Sequence, residues 1–195
     1  MRDALEALAR GWEQRKAWIC SLPPAQAQLP PAGGPGAPRR RQNALKVAPR
    51  EAREAFGLDR LWRPTARTGN RFTAPAGGTV TDRATGLTWQ TDGCAYPITW
   101  PRAFQYVGQL NAARFGGHGD WRLPTVDELA SLLRQAPRGQ AHCLEPVFHP
   151  ARNRLWASDR KSFTEAWYVD ADLGFVHWQD FGCPNYVQAV RSAPP

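Results

Sequence analysis

Two stretches of β-branched and aromatic residues, each doubled back on a glycine, bracket two helix signals, and this order limits what the chain can fold into. In the first, Thr79-Val80-Thr81 and Leu87-Thr88-Trp89 flank Asp82-Arg83-Ala84-Thr85-Gly86. The arms suit a pleated surface, the aspartate can bond the turn backbone, and the glycine accepts positive φ. In the second, Ala166 to Asp170 and Phe175 to Trp178 flank Ala171-Asp172-Leu173-Gly174. Leu155 to Ser158 and Tyr186 to Arg191 read as two further strands. The last places Val187, Ala189 and Arg191 on one face and Tyr186, Gln188 and Val190 on the other. Strands grouped apart from helices point to an α+β fold with an antiparallel sheet.

The helices between the hairpins carry their own signals. Thr99 precedes a run in which Trp100, Phe104, Val107 and Leu110 share one face at helical spacing. Pro101 sits in its first turn, and Gly116-Gly117 marks its end. Thr125 and Glu128 form a T-x-x-E capping box for a second helix, with Asp127 adding negative charge at the positive end of the helix dipole. Val126, Leu129, Leu132 and Leu133 make its buried face. The linking Trp121-Arg122-Leu123-Pro124 is read as structural. Trp121 fills core, as Trp89 does, and Arg122 offers five donors to loop carbonyls.

Upstream the character changes. Residues 1–22 read as an amphipathic helix, with Leu5, Leu8, Trp12 and Ile19 near helical spacing over 3–19. Residues 23–44 read as a Pro/Gly-rich linker ending in the basic Arg39-Arg40-Arg41. Residues 45–68 hold a short helix from Pro49 to Phe56, whose followers Leu58, Leu61 and Trp62 are expected to dock on the main domain at 69–193. The net charge of +8 is uneven: residues 1–68 carry 13 Lys/Arg against 6 Asp/Glu, and residues 69–195 carry 12 against 11. No aromatic residues interleave with the basic Arg39-Arg40-Arg41 run as single-strand recognition would require, so nucleic acid is disfavoured as a partner. No apolar run approaches a membrane span. Asp3, Glu6 and Glu13 with no apolar core speak against a secretory leader, which makes the cytoplasm the default compartment.

The cysteines are Cys20, Cys94, Cys143 and Cys183, and no C-x-x-C pair occurs among them, which argues against a zinc knuckle or a thioredoxin-like site. A disulfide between Cys143 and Cys183 would pin the loop from Arg134 to Arg154 and add roughly 3–5 kcal/mol of stability. Separate buried thiols, or Cys94 as the partner, are the alternatives. The four histidines, His118, His142, His149 and His177, lack the spacing of a metal site, and no metal or cofactor is expected. Asp159, Asp170, Asp172 and Asp180 crowd the C-terminal strands, where turn-forming and solvated carboxylates are favoured over calcium ligands.

Taken together, five motifs resemble the bacterial Lcl C-terminal-like domain family over about residues 71–192. They are Gly78 to Asp82, Thr85 to Gln90, Asp120 to Thr125 with Glu128-Leu129, Ala166 to Asp170 with Gly174, and Tyr186-Val187 to Val190-Arg191. This chain departs from the family at Trp156-Ala157-Ser158-Asp159, where members usually have Trp-Ser-Ser-Thr. The resemblance implies a C-type-lectin-like fold, akin to formylglycine-generating enzymes and to the variable receptor-binding proteins of diversity-generating retroelements. Its named member is a bacterial surface adhesin that binds glycosaminoglycans, and relatives are often envelope-associated. By analogy of fold, a ligand face falls on Asp159, Arg160, Phe163, His177, Trp178, Asp180, Asn185 and Tyr186. The expectation is a module that binds a glycan or protein partner, with no catalytic residue assigned. The alternatives are a thiol or redox enzyme related to formylglycine-generating enzymes, and an adaptor tethered through the basic arm.

Overall fold

The structure is a computed structural model that describes residues 40–134 and 142–192. The helix expected over residues 3–19 and most of the 23–44 linker lie outside the described residues. The elements are α1 (Pro49–Ala55), β1 (Thr79–Asp82), β2 (Leu87–Gln90), α2 (Trp100–Ala112), α3 (Val126–Ser131), β3 (Arg154–Arg160), β4 (Glu165–Asp170), β5 (Phe175–Asp180) and β6 (Val190–Ser192). They form two antiparallel three-stranded sheets, ordered β1-β2-β6 and β3-β4-β5. Both hairpins read from the sequence are present, with Val80 opposite Trp89 and Trp167 opposite Trp178.

The expected last strand is divided. Its ladder covers only Val190–Ser192, paired with β2, and Tyr186 meets β3 through a single parallel bridge to Leu155. The residues between them cross from one sheet to the other and find other partners: Cys94 N donates to Val187 O and Gln90 N to Ala189 O. Val187, Gln188, Ala189 and Val190 are all fully buried, so both faces of the segment are interior. Gly93 is needed at this crossing. It has φ +68°, and a Cβ there would sit 2.7 Å from Val187 O.

Two apolar clusters lie around the second sheet. One joins Leu129, Leu132 and Leu133 to Trp89, Leu155, Trp167 and Val176. The other joins α2, through Ala103, Val107 and Leu110, to Trp121, Trp156, Ala166 and Val187. Phe104, expected on the buried stripe of α2, is instead 45% exposed, and Ala103 takes the interior position. Its ring meets the edge of Trp100 at 4.7 Å, so Trp100 and Phe104 pack on each other at the margin of the core. The helix ends at Ala112, and Gly116-Gly117 belongs to the short 3-10 turn that follows.

The segment before β1 straps the second sheet. Val47 N donates to Arg160 O and Arg160 N to Leu45 O, along β3. Trp167 Nε1 on β4 donates to Val47 O, and Phe56 meets the same indole edge-on at 5.3 Å. At the far edge, Val176 N on β5 donates to Trp62 O. Val47, Ala52, Phe56 and Leu58 join the first apolar cluster. Leu61, expected to dock, is 42% exposed. This strap gives the outer strands partners for their edge groups.

The Cys143–Cys183 disulfide is not formed, and Cys94 and Cys183 are free thiols. Cys143 packs at the Gly174 turn, before β5, and Cys183 follows Asp180, after it. A six-residue strand separates them by about 20 Å, far beyond disulfide reach.

Candidate ligand-binding face

The residues expected on a ligand face separate into three places. Asp159 is interior. Its carboxylate is fully buried and accepts from Arg41 Nη1 at 2.7 Å, Arg41 Nη2 at 2.9 Å, Leu45 N at 2.6 Å and Val126 N at 2.7 Å. It therefore holds the strap against the first turn of α3 and has no lone pair to offer outside. Arg41 also reaches Asp127 at 2.8 Å. Burial opposes the Arg41 charge, but the Asp159 and Asp127 carboxylates outweigh it and raise its pKa. Burial pushes the Asp127 pKa up despite this partner.

Phe163, Arg160, His177 and Trp178 gather where the β3–β4 turn meets β5. Phe163 is 78% exposed, and Lys46 Nζ lies 3.7 Å from its ring centre. Lys46 is brought there by its parallel bridge to Arg160. Lys161 Nζ lies 5.0 Å from the Trp178 ring, and His177 stacks on that ring at 4.2 Å. Trp178 also packs on Trp62 and Trp167, which fixes its plane. Glu165 holds Lys161 at 2.6 Å. Two cations thus stand against aromatic rings near this turn, Lys46 over Phe163 and Lys161 beside Trp178, with the exposed Arg160 between them in the chain, an arrangement suited to cation–π contact. Asp180, after Gln179 on β5, is exposed and accepts from Gly182 N at 2.7 Å, so it shapes the following turn.

Asn185 and Tyr186 line a separate cleft of about 180 Å³ with Pro97, Asn153, Arg154 and Pro184. Arg154 approaches Asp170 at 3.4 Å, and its guanidinium carbon is 6.0 Å from the Tyr168 ring. Burial raises the pKa of both Asp170 and Tyr168, with Arg154 opposing. Arg152 covers the Tyr186 ring at 4.8 Å. Sequence reasoning missed Lys46, Lys161, Asn153 and Arg154. The last three adjoin named strand ends and could have been found there, whereas nothing local marks Lys46.

The residues read as structural have well-defined surroundings. Trp89 is fully buried and Trp121 nearly so, the latter donating its indole N–H to Phe115 O at 2.9 Å. Thr125 and Glu128 make the capping box. Arg122 differs from expectation in its partner: its fork grips the buried Glu128 carboxylate at 2.7 and 2.6 Å rather than loop carbonyls. Glu128 already faces inward as the cap, so it takes the guanidinium first.

A match to the Lcl C-terminal domain spans residues 78–191. The chain belongs to the Lcl C-terminal domain family. No curated protein matches it. The matched Lcl C-terminal domain supplies the cleft and most of the cationic corner, while Lys46 and Arg41 come from the strap that precedes it.

Two thiols of this Lcl C-terminal domain, Cys94 and Cys143, are buried. Burial raises the pKa of Cys94, and its sulfur accepts from Val187 N at 3.1 Å. A protonated, buried thiol is a weak nucleophile. Cys143 belongs to the other apolar cluster, with its sulfur 3.4 Å from Asp172 O. Among the described residues no group of His, Cys, Asp and Glu is arranged to hold a metal, and no helix is long and apolar enough to cross a membrane.

Proposed function

We propose that this chain is a carbohydrate-binding module with a C-type-lectin-like fold, in which the cationic aromatic corner receives an acidic glycan. The observation that carries the reading is the Phe163 corner. The exposed Phe163 ring lies under Lys46, the Trp178–His177 stack lies beside Lys161, and Arg160 is exposed next to Lys161 in the chain. Rings suit the C–H faces of sugars, and the ammonium and guanidinium groups suit sulfate or carboxylate substituents. Family membership and the two-sheet architecture support the fold assignment. The separation of Cys94 from Cys143 favours binding over a thiol enzyme, which needs two thiols at one cleft. The domain to test extends from the strap through residue 193, because strap residues enter both the core and the corner.

The test measures the full chain against immobilised sulfated, uronic-acid and neutral oligosaccharides. Binding to an acidic member is expected, weakening with salt as surface ion pairs are screened. Phe163→Ala with Lys161→Met is expected to reduce affinity at least about tenfold, the equivalent of one or two lost contacts. Both side chains lie at the surface margin, so melting temperature serves as the control for folding. Absence of affinity for every oligosaccharide overturns the reading and transfers the corner to a protein partner.

A further inference from the structure

We infer that the pocket between the strap and α3 binds a free aliphatic amino acid as its zwitterion, the carboxylate against Arg40 and the ammonium against Asp127. The pocket shares no lining residue with the cationic corner or the Asn185 cleft, so the inference does not rest on the glycan reading. Opposite charges line it without closing on each other. Arg40 is half-buried. Its guanidinium donates to the Thr68 hydroxyl, and among the described residues it makes no ion pair. Asp127 is the carboxylate whose charge acts on it most strongly. Asp127 Oδ2 accepts from Arg41 Nε at 2.8 Å, while Oδ1 has no partner. The unbonded atoms, Arg40 Nε and Nη1 and Asp127 Oδ1, are not sealed in the interior, so they stay open at a pocket that both residues line.

The chemistry of the ligand follows from these two groups and the walls around them. Burial lowers the Arg40 pKa against the pull of Asp127, and raises the Asp127 pKa against the pull of Arg41 and Arg40. Each charge is partly desolvated without full compensation, a cost that an incoming opposite charge offsets. Arg41 is already gripped by the buried Asp159. Arg40 and Asp127 therefore leave one charge of each sign at the pocket. A ligand with net charge would satisfy one and repel the other, whereas a zwitterion satisfies both. A carboxylate matches the guanidinium fork, and an ammonium donates to the free Oδ1. Phe56, Pro64 and Ala130 supply apolar wall for an aliphatic side chain. The volume of about 260 Å³ equals roughly nine water-sized groups at ~30 Å³ each, the size of an amino acid such as leucine.

The experiment titrates the full chain with leucine, N-acetyl-leucine and leucinamide by calorimetry. The second lacks the ammonium charge and the third lacks the carboxylate. Leucine is expected to bind, and each derivative to bind at least about tenfold more weakly. Arg40→Met and Asp127→Asn are each expected to weaken leucine by a similar factor. Ala66 is exposed at the rim of the pocket, so Ala66→Phe fills the opening with little demand on the core. That variant is expected to abolish leucine binding while the melting temperature is unchanged. Equal affinity for leucine and N-acetyl-leucine would mean that Arg40 alone reads the ligand, and overturns the zwitterion site. Leucine binding that survives Ala66→Phe overturns the location. No leucine binding at millimolar concentration overturns the inference as a whole. The acidic-glycan reading stands or falls on other residues, Phe163 and Lys161, and is untouched by any of these results.

Discussion

The two ends of β3 treat a buried polar side chain in opposite ways. At the Arg160 end, Asp159 accepts four hydrogen bonds, from both Arg41 Nη atoms and from the backbone of Leu45 and Val126. At the Arg154 end, Asn185 sits beside the strand with no partner on its amide. Both side chains are removed from water, so burial alone does not tell a satisfied polar group from an unsatisfied one. The distinction is whether the protein itself supplies the partners. Asp159 is spent on joining the strap, β3 and α3. The Asn185 amide has no such partners, so substituting the two side chains is expected to have different effects.

The largest expected effect is on the structural end. A fragment beginning at Gly69 keeps the whole matched domain yet loses Arg41, the bonds from Leu45, Val47 and Trp62 to the sheet edges, and the burial of Val47, Ala52, Phe56 and Leu58. Each large apolar side chain among them contributes about 1.5–3 kcal/mol, against a total stability of about 5–15 kcal/mol for a typical domain. That fragment is expected to lack a cooperative thermal transition. A sharp melt close to that of the full chain would show the strap to be an accessory.

Point substitutions sharpen the contrast. Asp159→Ala leaves Arg41 and two backbone N–H groups without their acceptor, and is expected to cost about 3–5 kcal/mol in urea denaturation. Asn185→Leu removes a polar group that has no partner to lose, and is expected to leave stability within about 1 kcal/mol or to raise it. Equal losses at the two sites would erase the distinction between the ends of β3. Thr125→Ala falls between them at about 1–2 kcal/mol, since it removes the cap on Glu128 N and the hydroxyl donor to Arg41 O.

What was legible in the sequence was local. The hairpins about Gly86 and Gly174 and the Thr125–Glu128 box are set by residues a few positions apart, and they appear where the spacing places them. Phe104 was misplaced because helical spacing gives the direction of a stripe but not its centre; the interior lies one residue over, at Ala103. Asp159 read as surface because its partner Arg41 is 118 positions away. The same blindness to distance made Cys143 and Cys183 look like a pair, although β5 holds them apart. The corner was partly visible as Arg160, Phe163 and Trp178, but Lys46 joins it only through a tertiary bridge. Nothing in the sequence around Asn185 signals that its amide is left unpaired.

The smallest effect concerns pH at the Arg154 end. Asp170 has a side chain only 4% exposed, and burial raises its pKa above the ordinary 3.8, against the pull of the Leu173 N–H and Arg154. A raised carboxyl pKa means that the folded state holds the proton more tightly than the unfolded state. Stability from this group is therefore fullest below 3.8 and declines as pH rises through the folded value, leaving a constant cost at neutral pH. Asp170→Asn keeps an Oδ1 acceptor for Asp172 N and Leu173 N while removing the charge. Urea denaturation across acidic pH is expected to show a shallower decline in the variant than in the parent. Asp127 has the same sign of shift and remains in both proteins, so the decline is reduced and not abolished. An unchanged slope would mean that Arg154 fully compensates the buried Asp170 charge.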